Sequence, residues 1–328
     1  MSEAASLNSF KAAAKILTWL GAIGCRKLPI DLDLVRQMLP DTPFGRGTVI
    51  KAPADLTWNG SEGALVRNPD NDKEWGIFVN PKARPERKRF TVAHELGHFI
   101  LHRASQSVFN CDKESVYAGI DTLKQIEREA DDFASHLLMP GDLLRDRIHG
   151  KRIDFRLLGA LATEFGVSLE SMCIRLVKYT EERVVLVYWD HGFEKYQWRS
   201  AEARKTRVRL KRTGDPQEPL PATLAADDEI AQEWDGIDMS ANAWCTSESE
   251  DITLRELKHT YADGNRVLSI LMLESAPPNA RFRSGWEDEE IQDTFDLAGA
   301  GKSSAPATRR RTRDSAGGEW VRLGVVPG

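Results

Sequence analysis

A five-residue stretch constrains this chain more than any other part of it. Residues 94–98 read His-Glu-Leu-Gly-His and lie in a segment whose apolar residues follow a helical pattern. Two histidines four residues apart project from one face of a helix, one turn apart, so both rings can reach a single ion while Glu95 lies beside it. This spacing is typical of a zinc site in a peptidase.

The residues around the motif favour a metal over a chance match. The predicted motif helix, residues 85–102, is apolar on nearly every side, with Phe90, Val92, Ala93, Leu96, Phe99, Ile100 and Leu101. A helix buried all round should not carry His94, Glu95 and His98 unless something offsets their loss of water. A metal ion would do so, whereas a pair of ordinary core histidines, the alternative, would leave the glutamate unexplained.

A catalytic zinc usually has three protein ligands, so a third is expected outside the motif. The next predicted helix, residues 122–139, carries four acids close together: Glu127, Glu129, Asp131 and Asp132. Glu127 has apolar neighbours on its face, whereas Glu129 and Asp132 share a more polar side. We therefore predict Glu127 as the third ligand. Asp131 is predicted to accept the outer ring N–H of a zinc-bound histidine, with a solvated acidic face as the alternative for both residues.

Four further residues near the motif have weaker assignments. His102, one turn after the motif, is predicted to pack or hydrogen-bond near the site, with a place among three histidine ligands as the alternative. Cys111 is a weaker ligand candidate because it lies in a loop without a paired cysteine. His102 and Tyr117 are candidate donors to the oxyanion of a reacting carbonyl. Gly97 costs about 1 kcal/mol of helix propensity, which predicts the close approach of another element, such as the helix of the third ligand.

The first half of the chain alternates helical and extended patterns. Helices are predicted at residues 7–22, 31–39, 85–102 and 122–139, and strands at residues 48–52, 63–67 and 75–80. The strand at 75–80 comes shortly before the motif helix and is predicted to lie near the site. It is either an edge strand that could pair with an extended peptide or an ordinary core strand.

Residues 153–179 have the spacing of a helix-turn-helix, with a turn at Gly166 and Ser168 as the cap of the second helix. A helix that reads DNA is usually more basic than residues 169–176, which carry Arg175 alone. We therefore favour a structural helix pair over direct contact with DNA.

The remainder of the chain predicts a second folded module and a tail. Strands are predicted at residues 183–189, 206–212, 243–246 and 266–273, and the strand at 206–212 has one basic face. Nucleic-acid binding by residues 199–212 is a further, weaker hypothesis. From residue 298 onward the chain is rich in Gly, Ser, Ala and Pro and contains the basic run at 309–313, which predicts a disordered tail.

The predicted fold class is α+β. Residues 1–145 are expected to form a zincin-like metallopeptidase domain, with a small sheet, the motif helix and the helix of the third ligand. Residues 146–180 form the helix-turn-helix-like segment, residues 181–296 a C-terminal α+β or β-rich module with a sensory role as one hypothesis, and residues 297–328 a disordered basic tail.

Composition restricts the cellular setting. Four scattered cysteines without a CxxC pair favour a reducing compartment. No stretch approaches 18 consecutive apolar residues, and the first residues lack the pattern of a signal peptide. The net charge of −5 argues against bulk affinity for nucleic acid. We predict a soluble, cytoplasmic protein that does not associate with membranes.

Two sequence blocks resemble a known family. The sequence RKRFTVAHELGHFILH at residues 87–102, followed by the pattern ExEADxFAxxLLMP at residues 127–140, resembles the ImmA/IrrE family of zinc metallopeptidases. The blocks occur in the expected order, and the resemblance covers about residues 45–180.

The resemblance implies a gluzincin-like site in which His94, His98 and Glu127 bind zinc and Glu95 acts as the general base. Members of the family are intracellular regulatory proteases that cleave helix-turn-helix repressors and so release stress, mobile-element or toxin-antitoxin genes. Such a repressor is the expected partner, and zinc, with manganese as the alternative, the expected metal. A competing hypothesis is a non-catalytic regulator that binds a repressor or DNA and senses a ligand through its C-terminal module.

The chain departs from the family pattern at one position. His136 stands where members commonly carry an acid, before the Leu-Leu-Met-Pro stretch. By helix geometry it points away from Glu127, so the departure puts little of the predicted metal site in doubt.

Overall fold

Two capped helices open the structure. The computed structural model describes residues 8–56, 61–112 and 121–275. Helix α1 spans Ser9–Ala22 and α2 spans Leu32–Met38. Each begins where a polar side chain accepts a hydrogen bond from a backbone N–H three residues later, Asn8 in α1 and Asp31 in α2. Both helices match the sequence-based prediction.

A small mixed sheet follows. Its strands are β1 (Val49–Ile50), β2 (Ala54–Asp55), β3 (Ser61–Arg67), β4 (Glu74–Val79) and β5 (Val108–Asp112). The order is β1-β4-β3-β5, and β2 also pairs with β4. Strand β4 therefore has partners on both sides, so the edge-strand interpretation of residues 75–80 is wrong and the core-strand alternative is right. The alternating burial of β4 agrees with this position. The edge next to β3 is β5, which the sequence pattern did not predict.

Two helices pack beside this sheet and carry the motif residues. Helix α3 spans Pro85–Leu101, with proline in its first turn, and α4 spans Asp121–Leu138. Pro140 ends α4 as predicted, but a further helix, α5 (Gly141–Ile148), begins directly after it. Proline interrupts a helix but is tolerated where the next helix starts. Pro140 therefore both ends α4 and precedes the first residue of α5.

The predicted helix pair is present, and its second helix is largely enclosed. Helices α6 (Phe155–Phe165) and α7 (Leu169–Tyr179) meet at a bend of 106°. Gly166 has a φ of 66° and ends α6, while Ser168 caps α7. Of the residues of α7, only Lys178 is exposed. A helix enclosed in this way does not present a face to a DNA groove, which supports the structural role predicted for the pair.

Arg175 explains why α7 is held so firmly. Arg175 is 3% exposed, and its guanidinium donates to the carbonyl oxygen of Met139 at 2.8 Å and lies 3.1 Å from Nδ1 of His136. Burial, followed by the charges of Arg175 and Lys178, lowers the pKa of His136 to about 4, so the ring is a neutral acceptor at pH 7. His136 therefore serves the junction between α4 and α7 rather than the metal site.

The second module is an antiparallel sheet. Its strands are β6 (Arg183–Asp190), β7 (Phe193–Arg199), β8 (Gln232–Ser240), β9 (Thr253–Thr260) and β10 (Arg266–Leu273), in the order β7-β6-β10-β9-β8, with the short helix α8 (Ala201–Lys205). Strands β6 and β10 confirm two predictions. The strands predicted at 206–212 and 243–246 are wrong, because those segments meet only in the single bridge between Leu210 and Cys245. Apolar and basic residues alternate at 206–212 because Val208 is buried in a loop while its two neighbours are exposed.

Apolar packing joins the two sheets. One core contains buried residues from α1, α3, α4, α6 and α7 and continues to Leu186, Leu257 and Ile270 on the C-terminal sheet. The other face of that sheet has a separate core around Trp189 and Trp244. The predicted domain boundaries at 145 and 180 therefore stay a prediction. The predicted tail at 297–328 lies outside the described residues.

Within the described part of the chain, no single helix has the length and apolar character needed to cross a membrane. The bent pair formed by α6 and α7 meets the criterion only when its two helices are counted together.

Replacing Arg175 tests whether α7 is a structural helix. Arg175→Leu keeps much of the side-chain volume but leaves the Met139 carbonyl without its charged donor, so we expect unfolding to become easier by about 2–3 kcal/mol. The measurement is urea unfolding. Lys178→Gln, at the exposed position of the same helix, should change stability by less than about 1 kcal/mol. Equal effects of the two substitutions would contradict this role of Arg175.

Candidate metal centre

Three of the predicted site residues converge at one point. Nε2 of His94 lies 2.9 Å from Nε2 of His98. Both nitrogens face the same carboxylate: His94 Nε2 is 3.2 Å from Oε2 of Glu127 and His98 Nε2 is 3.3 Å from Oε1. Helix α3 supplies the two histidines and α4 supplies the glutamate. These three side chains form the one His, Cys, Asp and Glu group among the described residues whose donor atoms are close enough to hold a metal ion.

The separations suit a small divalent ion. In a tetrahedral zinc site with ligand distances of 2.0–2.1 Å, ligand atoms lie about 3.3 Å apart. The three observed separations of 2.9–3.3 Å are close to this value. Two imidazoles and one carboxylate are also the donor set of many catalytic zinc sites. The residues present therefore fit zinc.

The outer nitrogen of each histidine has an acceptor. His94 Nδ1 lies 2.8 Å from Oδ1 of Asp131. His98 Nδ1 lies 3.2 Å from Nδ1 of His102, whose Nε2 lies 3.0 Å from Oε2 of Glu129. In the tautomers that satisfy these contacts, each outer N–H donates and each Nε2 presents its lone pair towards the common point.

Burial and charge set the protonation of the cluster. His98 is fully buried, and burial, followed by the nearby His94, lowers the pKa of His98 to about 4. Burial alone would raise the pKa of Glu127, but hydrogen bonds and charge interactions with His94 and His98 outweigh it and hold that pKa below its usual value. At pH 7 the cluster thus combines neutral imidazole with carboxylate, which is the state that binds a metal.

Glu95 lies on α3 between the two histidines, and its side chain is fully buried. Its Oε1 approaches Gly63 on β3 so closely that a Cβ added at Gly63 would lie 2.9 Å from that oxygen and 2.2 Å from Cγ2 of Thr91. The pairing of β3 with β5 shifts register between Ser61 and Gly63. A glycine at a local irregularity of the strand therefore leaves the space that the Glu95 carboxylate occupies.

Gly97 allows the two ligand helices to approach each other. A Cβ at this position would lie 3.0 Å from Cδ1 of Phe133 and 3.2 Å from both Cα and the carbonyl oxygen of Ala130. Ala130 and Phe133 belong to α4, the helix of Glu127. The prediction that another element approaches Gly97 closely is confirmed, and that element is the helix of the predicted third ligand.

The remaining candidates lie apart from the three donors or outside the described residues. Tyr117 lies outside the described residues, and so does the side chain of Cys111. His102 contacts His98 through the nitrogen that faces away from the common point, so the geometry places it behind a ligand. The sequence pattern did not predict that Glu129 contacts His102, because it assigned Glu129 to the polar side of the helix. It is held by Gln125 at 2.6 Å, and its position two residues from both Glu127 and Asp131 was the available signal.

The edge strand β5 passes beside the site. Phe109 of β5 stacks on His98, with ring centroids 4.6 Å apart and an interplanar angle of 23°. The ring closes one side of the cluster with an apolar surface, which limits the access of water to His98.

A helix with two histidine donors, a second helix that adds a carboxylate, and a small mixed sheet beside them define a zincin-like metallopeptidase fold. Residues 55–177 match the family of the IrrE N-terminal-like domain. This stretch of the chain is similar to that family, in agreement with the resemblance to ImmA/IrrE proteins.

Two curated relatives are similar to about a third of the chain. The chain is 33% identical over 109 residues to the radiation response metalloprotease IrrE of Deinococcus radiodurans, a match covering 33% of each protein. It is 36% identical over 110 residues to the protein of the same name from Deinococcus deserti, covering 33% of this chain and 38% of the relative. The matched regions span 33% and 38% of the length of these relatives.

A solved structure described as a Mycobacterium tuberculosis transcriptional regulator is also similar. It covers 80% of this chain and 75% of its own, at 15% identity and a TM-score of 0.47. A likeness of this degree supports no conclusion about function.

Substituting Gly97 tests the link between helix approach and metal binding. In Gly97→Ala the new methyl group would press on the backbone of Ala130 and move Glu127 away from the histidines. We expect a loss of stability of about 1–3 kcal/mol and zinc binding weaker by about tenfold or more, measured by unfolding and by competition with a chelator.

Gly159→Ala is the matched control. Gly159 lies within α6, and a Cβ there would have nothing within 4 Å. This substitution should leave zinc binding unchanged and stabilise the protein by up to about 1 kcal/mol. Zinc binding of parental strength in Gly97→Ala would show that the approach of the helices does not set the position of Glu127.

Proposed function

We propose that the protein is a zinc-dependent endopeptidase that cleaves a helix-turn-helix repressor and so releases stress, mobile-element or toxin-antitoxin genes. The observation that carries the proposal is the convergence of His94, His98 and Glu127 donor atoms within 4.8 Å of one another, with Glu95 on the same helix as the histidines. Two relatives that match about a third of the chain are named radiation response metalloproteases, which supports both the chemistry and a regulatory role.

The proposed ligands are His94, His98 and Glu127, with Asp131 and His102 fixing the orientation of the two rings. When bound there, zinc supplies Lewis-acid chemistry that lowers the pKa of a contacting water and polarises a carbonyl group. Glu95 is proposed to take a proton from the attacking water and to pass it to the leaving amine. Its burial among apolar residues keeps bulk water from competing for that proton.

An extended substrate would find a pairing edge next to the site. Among the described strands, β5 pairs with β3 alone, and we propose that its other edge accepts the substrate. Because Phe109 of β5 stacks on His98, a peptide added to this edge would run beside the proposed metal. Cleavage would then require a segment of the repressor that can become extended, such as a linker between folded parts.

Replacing Glu95 with glutamine tests the catalytic role. Glu95→Gln keeps the shape of the side chain but cannot accept the proton, so we expect zinc to bind as in the parent while cleavage falls by at least about 100-fold. The readout is the set of new protein amino termini that appear in cells expressing the parent, the variant or neither, together with zinc content. Glu181→Gln, the same change in an exposed position, is the control and should behave as the parent.

Two outcomes would reject the assignment of Glu95. New amino termini formed equally by the parent and by Glu95→Gln would show that Glu95 is not the base. Release of the target genes by both proteins without new termini would instead favour the non-catalytic regulator.

Gly63 offers a test of how Glu95 is positioned. Gly63→Ala should crowd Thr91 and the Glu95 carboxylate, so we expect lower stability and kcat reduced by about tenfold or more with zinc retained. Thr91→Ser removes the methyl group with the closest contact. The double variant should therefore recover stability but not kcat, measured by thermal unfolding and by turnover. Recovery of both would show that Gly63 matters for packing alone.

A further inference from the structure

A basic surface of the C-terminal module lies outside the proposed peptidase chemistry. Five side chains between residues 204 and 212 are exposed, and we refer to them as the basic ridge: Arg204, Lys205, Arg207, Arg209 and Arg212. The whole chain has 45 basic and 50 acidic residues. The ridge is therefore a local concentration of positive charge on an acidic protein.

The backbone beneath the ridge is fixed by the fold. Ala203 and Val208 are buried in the core around Trp244. The N–H of Arg209 donates to Oγ of Ser247 at 3.0 Å, and its carbonyl accepts from the N–H of Thr246 at 2.9 Å. Folding has thus already ordered the backbone, so binding through the ridge need order only side chains.

Nearby carboxylates compensate part of the ridge charge, since Glu194 interacts electrostatically with Arg212. Glu248 is buried and pairs with Arg183 at 2.5 Å, and Glu202 lies 3.3 Å from Lys205. Within the described parts of the chain, neither Arg204 nor Arg209 has a carboxylate within 4.0 Å. The guanidinium of Arg204 donates to the carbonyl oxygen of Arg199 at 2.5 Å and has further N–H groups, and that of Arg209 has none of its N–H groups bonded to another described residue.

The chemistry of the ridge favours phosphate over an acidic protein. Four of its five residues are arginine, whose planar fork binds phosphate oxygens in pairs. Protein interfaces have an apolar core, but the large apolar side chains exposed in the described structure include none from residues 199–212. Charge without an apolar centre suits a phosphate backbone, which is recognised mainly by electrostatics.

We propose that the basic ridge binds the phosphate backbone of double-stranded DNA without reading its sequence. The surface is separate from the metal centre, so the proposal holds whether or not the protein is a peptidase. It corrects the location of the sequence-based hypothesis in one respect: the basic side chains project from α8 and an anchored loop, rather than from one face of a strand.

The test is fluorescence anisotropy of a labelled duplex of arbitrary sequence with the full chain, at several salt concentrations. If all five ridge cations contact phosphates, log K should fall against log salt concentration with a slope of about −4 to −5. The triple variant Arg204→Gln, Arg209→Gln, Arg212→Gln should bind about tenfold or more weakly and reduce the slope by about 2 to 3. A duplex of different sequence should bind equally.

Two control variants separate the ridge from charge elsewhere. The triple variant Lys27→Gln, Lys82→Gln, Lys151→Gln removes the same charge from exposed positions and should bind as the parent. Replacing the three ridge arginines with lysine keeps the charge and should preserve most of the salt slope. Thermal unfolding of each variant verifies that it folds.

Three results would overturn the proposal. The first is undetectable binding of the parent at low salt. The second is parental binding by the triple glutamine variant, which would assign the affinity to another segment, such as the basic run at 309–313. The third is displacement of the duplex by polyglutamate at an equal concentration of charge, which would identify an acidic protein as the partner class.

Discussion

The close contact between α3 and α4 is the constraint on which the rest of the site depends. Gly97 has no side chain, so α4 can approach until Ala130 and Phe133 touch the motif helix. Only at that distance does Glu127 reach both His94 and His98. The same approach places Asp131 behind His94 and Glu129 behind His102. The absence of a Cβ at Gly97 thus allows the helix approach that positions the carboxylates of Glu127, Glu129 and Asp131.

Most of the site was readable from the sequence because it is built on helices. A helix has a fixed repeat, so His94 and His98 had to share a face, and the apolar neighbours of Glu127 indicated its direction. Glu129 was missed for the same reason. Its side chain lies at the margin of the polar face, is 40% exposed, and reaches His102 only because the two helices are so close. The periodicity of a sequence assigns each residue to a face of its helix, but it does not give the distance between that helix and its neighbour.

The strands were harder to predict, and the errors have physical causes. Strand β8 is largely exposed along its length, so it lacks the burial alternation that marks a strand with one face on a core. Residues 206–212 alternate without forming a strand, because Val208 anchors a loop whose neighbouring residues point to solvent. Strand β4 has a partner on each side, a property set by the chain's path rather than by its local pattern. Pairing partners depend on residues distant in sequence, which local periodicity cannot contain.

The charge arrangement around the histidines explains why a cation belongs there. Burial keeps His98 neutral, and hydrogen bonding keeps Glu127 ionised, so the interior of the cluster is negative. Behind each histidine stands a further carboxylate, Asp131 directly and Glu129 through His102. The neutral imidazole of His98 does not balance the charge of these partly buried carboxylates. A divalent ion offsets it and accepts the histidine lone pairs in one step. The close packing of the two helices is therefore also what brings the three donor atoms within reach of one ion.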